Sequence, residues 1–175
     1  MSRAERRQDH KKKQRKRVLL ALFLLFWILF ILFMSTRTYQ QQTIRPLLIQ
    51  TVQKLDIDFE LPDIRISYGG HTNSLRNNPY GFTEFVFRKC AHMFVYGILT
   101  LAAHMILKKR WGPTLTVYWV PLVITLLIAS TDEFLQRFSA GRTSSFDDVL
   151  LDLTGGCIAI LLYVLFQYVR HKRKV

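Results

Sequence analysis

Four stretches of this chain are too long and too apolar for an ordinary water-soluble core, and they constrain its fold more than any other feature. Val18 to Met34 is seventeen residues without a charge, and Phe85–Leu107, Leu115–Leu135 and Val149–Val169 each run 21 to 23 residues. At about 1.5 Å per residue, each of the three longer runs crosses a hydrocarbon core of roughly 30 Å. Runs of this length read as bilayer spans. The expected fold is therefore all-α, a polytopic integral membrane protein with four transmembrane helices.

The charges fit this frame. Lys and Arg outnumber Asp and Glu by 25 to 12 in the 175 residues, and their placement matters more than their sum. The N-terminal tail before Val18 carries nine Lys/Arg, the link Lys108-Lys109-Arg110 three, and the stretch from Arg170 onward four. In a four-span chain these segments share one side, for sixteen. The other side has Arg37, Arg45, Lys54, Arg65 and Arg76 spread over a long loop, plus Arg137 and Arg142, for seven. The positive-inside rule then places both termini in the cytoplasm. Basic runs so close to the spans meet anionic lipid head groups, so a nucleic-acid partner is not expected. The first run is longer than a usual signal-peptide core, and Ser35-Thr36-Arg37 lacks an Ala-x-Ala-like cleavage site, so it reads as an uncleaved anchor. Cys90 and Cys157 both lie in apolar runs, with no second Cys or His at metal-ligand spacing, and read as small packing residues.

The expected division is a basic cytoplasmic tail (1–17), a first transmembrane helix (18–34), an extracellular loop (35–84), a three-helix membrane domain (85–170) and a second basic tail (171–175). In the loop, Ile44, Leu47, Leu48, Thr51, Val52 and Leu55 recur at helical spacing and predict an amphipathic helix. Ile57, Phe59 and Leu61 alternate, as do Ile64, Ile66 and Tyr68, up to the Gly69-Gly70 turn signal. His71 to Gly81 reads as connector.

The spans after the first carry charge. Lys89, His92 and Tyr96 fall at i, i+3 and i+7 on one helical face. Asp132, Glu133 and Gln136 end the next helix on the same side of the membrane, and the last helix opens with Asp148, Asp152 and Gly155 at i, i+4 and i+7. Three helices thus bring ionisable residues to one depth, where each should face the others rather than lipid. Structural readings are also available. Ser145 to Asp148 fits a capping box. The cluster's charges nearly balance, as in an ion-pair network, and His92 could be a hydrogen-bonded core residue. Gly155 and Ala159 form a small-xxx-small pair for close helix packing. His104, near the other end of its span, receives no role.

Arg88-Lys89-x-x-His92-x-x-x-Tyr96, Asp132-Glu133-x-x-Gln136, Gly141-Arg142 and Asp148-x-x-x-Asp152-x-x-Gly155 together resemble the VanZ-like membrane proteins. The resemblance covers about residues 85 to 165, with a weaker echo at the first span and its Ser35-Thr36 exit. Where that family often has an acidic residue before the tyrosine, this chain has Val95. The resemblance implies a multi-pass protein of the bacterial cell membrane, and the family's founding member is associated with low-level resistance to the glycopeptide teicoplanin.

The leading functional expectation is a non-enzymatic protein that binds or positions an anionic lipid-linked or cell-wall head group at the outer leaflet. Its candidate ligand-binding residues are Lys89, His92, Tyr96, Asp132, Glu133, Gln136, Arg142, Asp148 and Asp152. Lys89 and Arg142 would contact phosphate, while Asp132, Glu133 and Asp148 would orient those cations. The alternative is an enzyme acting on such a head group, with His92 as general base or nucleophile and Glu133 or Asp148 orienting it. No serine-hydrolase elbow, P-loop or zinc-protease motif is present. A third reading is a structural scaffold. A divalent ion on Asp132, Glu133, Asp148 and Asp152 is conceivable, but the neighbouring cations argue against it, and no metal or cofactor is expected.

Overall fold

Each long apolar run forms a helix, and in three of the four the helix extends beyond the run at both ends. The computed structural model describes residues 3–55, 61–140 and 145–173. Its four long helices are α1 (Arg3–Ser35), α4 (Pro79–Trp111), α5 (Thr116–Gln136) and α6 (Phe146–Lys172). All four are long and apolar enough to cross a membrane. A helix suits that setting because it satisfies its own backbone where no water is available. Between α1 and α4 lie two short helices, α2 (Tyr39–Gln42) and α3 (Arg45–Leu55), and a hairpin of β1 (Arg65–Tyr68) and β2 (His71–Ser74).

Local chemistry sets the ends of the long helices. Asn78 caps α4 by accepting from the Gly81 amide at 3.0 Å, and Pro79 follows at the first turn, where its missing N–H costs nothing. The same helix stops at Gly112, whose φ of 74° suits glycine and whose amide reaches the Lys108 carbonyl. Ser145 caps α6 by accepting from the Asp147 amide at 3.2 Å.

The alternation ending at Tyr68 is a strand, as its period implies. His71–Ser74, however, is not plain connector: it is the second strand, paired antiparallel with Tyr68 opposite His71. Polar side chains and a short length hid it, and its pairing is made by backbone groups that any residue supplies. Gly69 and Gly70 both have positive φ, the requirement of a two-residue primed turn. The expected amphipathic helix is α3. Ile57 and Phe59 lie outside the described residues.

Helix α4 is the hub. It packs most extensively on α6, while α5 touches both and α1 leans on α4 and α5. Glycine makes the α4–α6 approach possible. A Cβ on Gly155 would collide with the Met93 carbonyl and sit 2.7 Å from its Cα, and one on Gly97 would meet the Gly155 carbonyl at 3.2 Å. The core is small: Ile31, Tyr96, Leu99, Ala129 and Val149, with Trp27 and Ile28 against it. Much of the remaining apolar surface, including Phe26, Leu29, Leu161, Leu162 and Phe166, points outward. Such a surface is a liability in water and is solvated by acyl chains in a bilayer. The Arg17 guanidinium donates to the Lys109 carbonyl at 3.0 Å, bringing the basic stretch of α1 beside the basic end of α4. The bundle therefore has a basic end, and an opposite end capped by α2, α3 and the hairpin.

Candidate functional site

At the capped end the polar residues of α4, α5 and α6 converge. Asp132 sits one helical turn before Gln136, so the Gln136 amide reaches its Oδ2 at 3.2 Å, and Tyr96 donates to the same oxygen from α4 at 2.9 Å. Ser35, at the end of α1, donates to the Asp132 backbone carbonyl at 3.0 Å. The close α4–α6 packing brings His92 Nδ1 to 3.4 Å from Asp152 Oδ1. Lys89 pairs with Asp148, which also accepts from the Tyr68 hydroxyl at 2.6 Å, and the Lys89 ammonium lies over the Tyr68 ring. Glu133 accepts from the Ser145 amide at 3.0 Å.

Eight of the nine residues singled out from the sequence meet in this region. Arg142, with Gly141, lies outside the described residues. Two expected partnerships change. Asp152, not Glu133 or Asp148, is the carboxylate beside His92. The Asp148 side chain is no helix cap, because its oxygen is engaged by Lys89 and Tyr68 while the Ser145 hydroxyl does the capping.

The hairpin takes part directly. Tyr68 reaches down from β1 to Asp148, and the Gly69 amide donates to Asp147 at 3.2 Å. Burial, followed by the neighbouring Asp148 charge, pushes the Tyr68 phenol well above its ordinary range, so it remains a donor.

A second focus was not legible from the sequence. Glu84, only 3% exposed, accepts from the Tyr39 hydroxyl and Arg45 Nε at 2.7 Å each, from the Ile44 amide at 3.2 Å and from Arg88 at 3.4 Å. Burial first, then this carboxylate, raises the Tyr39 phenol above its usual range. Glu84 pins α2 and α3 onto the start of α4. Its spacing of four residues from Arg88 was the available signal, although the partners from the loop left none.

Two cavities open beside these groups. One, of about 360 Å³, lies beneath the hairpin and is lined by Arg45, Tyr68, Arg88, Lys89, His92, Gln136 and Asp148 among others. The other, of about 340 Å³, is chiefly apolar and runs between α1 and α4, along Phe30, Ile31, Met34, Phe87 and Val95 toward Asp132. Glu84, Arg88 and His92 line both. At the basic end His104 is buried, bonded through Nδ1 to the Val117 carbonyl at 2.8 Å and flanked by the Tyr118 and Tyr163 rings. That is a packing role.

The chain is 33% identical over 89 residues to an uncharacterised protein of the fission yeast Schizosaccharomyces pombe, spanning about half the length of each. A fungal relative means that similarity of this kind does not by itself assign a bacterial source. No solved structure matches. The family description VanZ/LLP1 matches residues 20–167, taking in the second half of α1, the capping segments and most of the three-helix cluster, and this multi-pass membrane protein belongs to that family.

Proposed function

We propose that the protein binds an anionic amphiphile, a lipid-linked or cell-wall type head group, at the capped end of its bundle. The carrying observation is the pair of cavities, one polar and one apolar, that meet at Glu84, Arg88 and His92. An anionic head would lie among Arg45, Arg88 and Lys89, and an apolar tail would follow the groove between α1 and α4. Arg45 gives Glu84 its Nε, so its terminal N–H groups remain available to a phosphate oxygen. The excess of Lys/Arg at the basic end favours a cytoplasmic position for both termini, which would put the capped end at the outer leaflet. Susceptibility to glycopeptides is the cellular phenotype to score in a bacterial host.

The test is native mass spectrometry of the purified chain, with retained lipids identified. Lys89→Met removes one charge-assisted contact of about 1.5–3 kcal/mol and should reduce retention of phosphatidylglycerol on the order of tenfold, leaving phosphatidylethanolamine unaffected. An unchanged lipid profile would overturn the reading. The enzymatic alternative has one observation in its favour, the imidazole of His92 beside the buried Asp152 carboxylate. It predicts a His92→Gln protein that keeps its lipid and loses the cellular phenotype.

A further inference from the structure

Buried carboxylates need donors, and three beneath the cavities lack them. Asp152 is fully buried, and neither of its oxygens has a hydrogen-bond partner among the described residues; one Nδ1–Oδ1 approach of 3.4 Å from His92 is its nearest polar contact of opposite character. Asp132 Oδ1 is buried and equally unpartnered, although Oδ2 receives Tyr96 and Gln136. Glu133, on the neighbouring position of α5, also keeps a buried unpartnered oxygen, Oε1. Native interiors satisfy such groups, and an orphaned one calls for a water or an ion. Several together, all anionic, call for positive charge.

Two nearby cations among the described residues are paired with other carboxylates. Lys89 is committed to Asp148 and Arg88 to Glu84. Protonating His92 would supply one charge against the three carboxylates of Asp132, Glu133 and Asp152. Of the neighbouring cations, which from the sequence alone argue against a metal, Lys89 and Arg88 are thus not bonded to the orphaned oxygens.

We propose that His92, Asp132 and Asp152 hold a divalent transition-metal ion of the Zn²⁺ or Mn²⁺ type. One ligand atom from each lies within 4.8 Å of the others. Metal–ligand bonds of about 2.0–2.2 Å hold donor atoms roughly 3–4 Å apart, so the three need approach one another by no more than about 2 Å. An imidazole nitrogen beside two carboxylate oxygens suits zinc or manganese, whereas magnesium and calcium prefer oxygen throughout. Two carboxylates match the ion's charge. Tyr96 and Gln136 hold Asp132 from behind, as outer partners orient metal-ligating carboxylates. Three protein ligands leave coordination positions open, and His92 lines both cavities. The open side therefore faces the place where an anionic oxygen of the amphiphile would sit; this last step rests on the ligand reading above, and the metal site does not.

The full chain, purified in mild detergent without chelator, should carry about one Zn²⁺ or Mn²⁺ per molecule by inductively coupled plasma mass spectrometry, as expected of a site with three protein ligands. Asp152→Asn and His92→Gln should each lower that content at least tenfold, the scale on which even the outer partners of metal ligands act, and His10→Gln in the exposed basic stretch should not. Metal kept by both ligand variants, or absent from the wild type even after incubation with Zn²⁺ and Mn²⁺, overturns the proposal. Should the variants fail to fold, Mn²⁺-loaded wild type decides: a nitrogen hyperfine coupling supports the site and an all-oxygen signal overturns it. Metal content is read without any lipid, so Lys89→Met with full metal and no retained lipid separates this proposal from the ligand reading.

Discussion

Replacing Glu84 by Gln tests whether one buried carboxylate holds the capping segments to the membrane bundle. The change is nearly isosteric but leaves one acceptor oxygen where there were two. Tyr39 and Arg45 donate to Oε2, and the Ile44 amide and Arg88 donate to Oε1. Whichever way the amide turns, one pair of donors faces an NH₂ group. A charge-assisted bond contributes about 1.5–3 kcal/mol. The Arg45 side chain is 44% exposed and can rehydrate, so the lower end applies and a net loss of about 2 kcal/mol is expected. At 1.4 kcal/mol per factor of ten, that makes local opening roughly 30-fold more frequent. Hydrogen exchange of the amides from Tyr39 to Lys54 reads it directly, with the amides of the α4–α6 contact as internal reference. Uniform acceleration across the whole bundle, or exchange in α2 and α3 within threefold of wild type, would refute the idea that Glu84 is the local clasp.

Gly155→Val should separate α4 from α6, because a Cβ at that position collides with the Met93 backbone; a loss of about 1–3 kcal/mol, read as a lower unfolding midpoint in detergent, is expected, and an unchanged midpoint would contradict the packing. Cysteines placed at Ser74 and Ser139 should label with an impermeant maleimide in intact cells, whereas those at Gln8 or Lys172 should not; the opposite pattern would invert the orientation.

The spans were legible because hydrophobic length is a local property. So was the meeting of Lys89, His92, Tyr96, Asp132, Gln136, Asp148 and Asp152, since helical periodicity fixes faces and the bilayer fixes depth. Partnerships within the cluster were not legible. Which carboxylate meets His92 depends on the distance between α4 and α6, which Gly97 and Gly155 set through backbone contact. Periodicity identifies small residues without saying which carbonyl they admit. The Glu84 hub failed to show for a different reason: three of its four partners, Tyr39, Ile44 and Arg45, come from a segment about forty residues away. Tyr68 likewise read as a strand residue, and only the hairpin's seating on α6 reveals it as a partner of Asp148.

The attachment of α1 has a mechanical consequence. Along its length this helix is fastened by a few side-chain bonds to backbone carbonyls of the other helices: Arg17 to Lys109, Trp27 to Val95 and Ser35 to Asp132. Each contributes about 1 kcal/mol. The apolar cavity lies between the last two fastenings, with Phe30, Ile31 and Met34 as its α1 wall. Across it stands α4, braced along α6 by glycine contacts that leave no slack. One wall is thus fixed by backbone contact, and the other by the side-chain packing of Trp27, Ile28 and Ile31 together with single hydrogen bonds. A widening of the apolar cavity would therefore come from displacement of α1 rather than of α4.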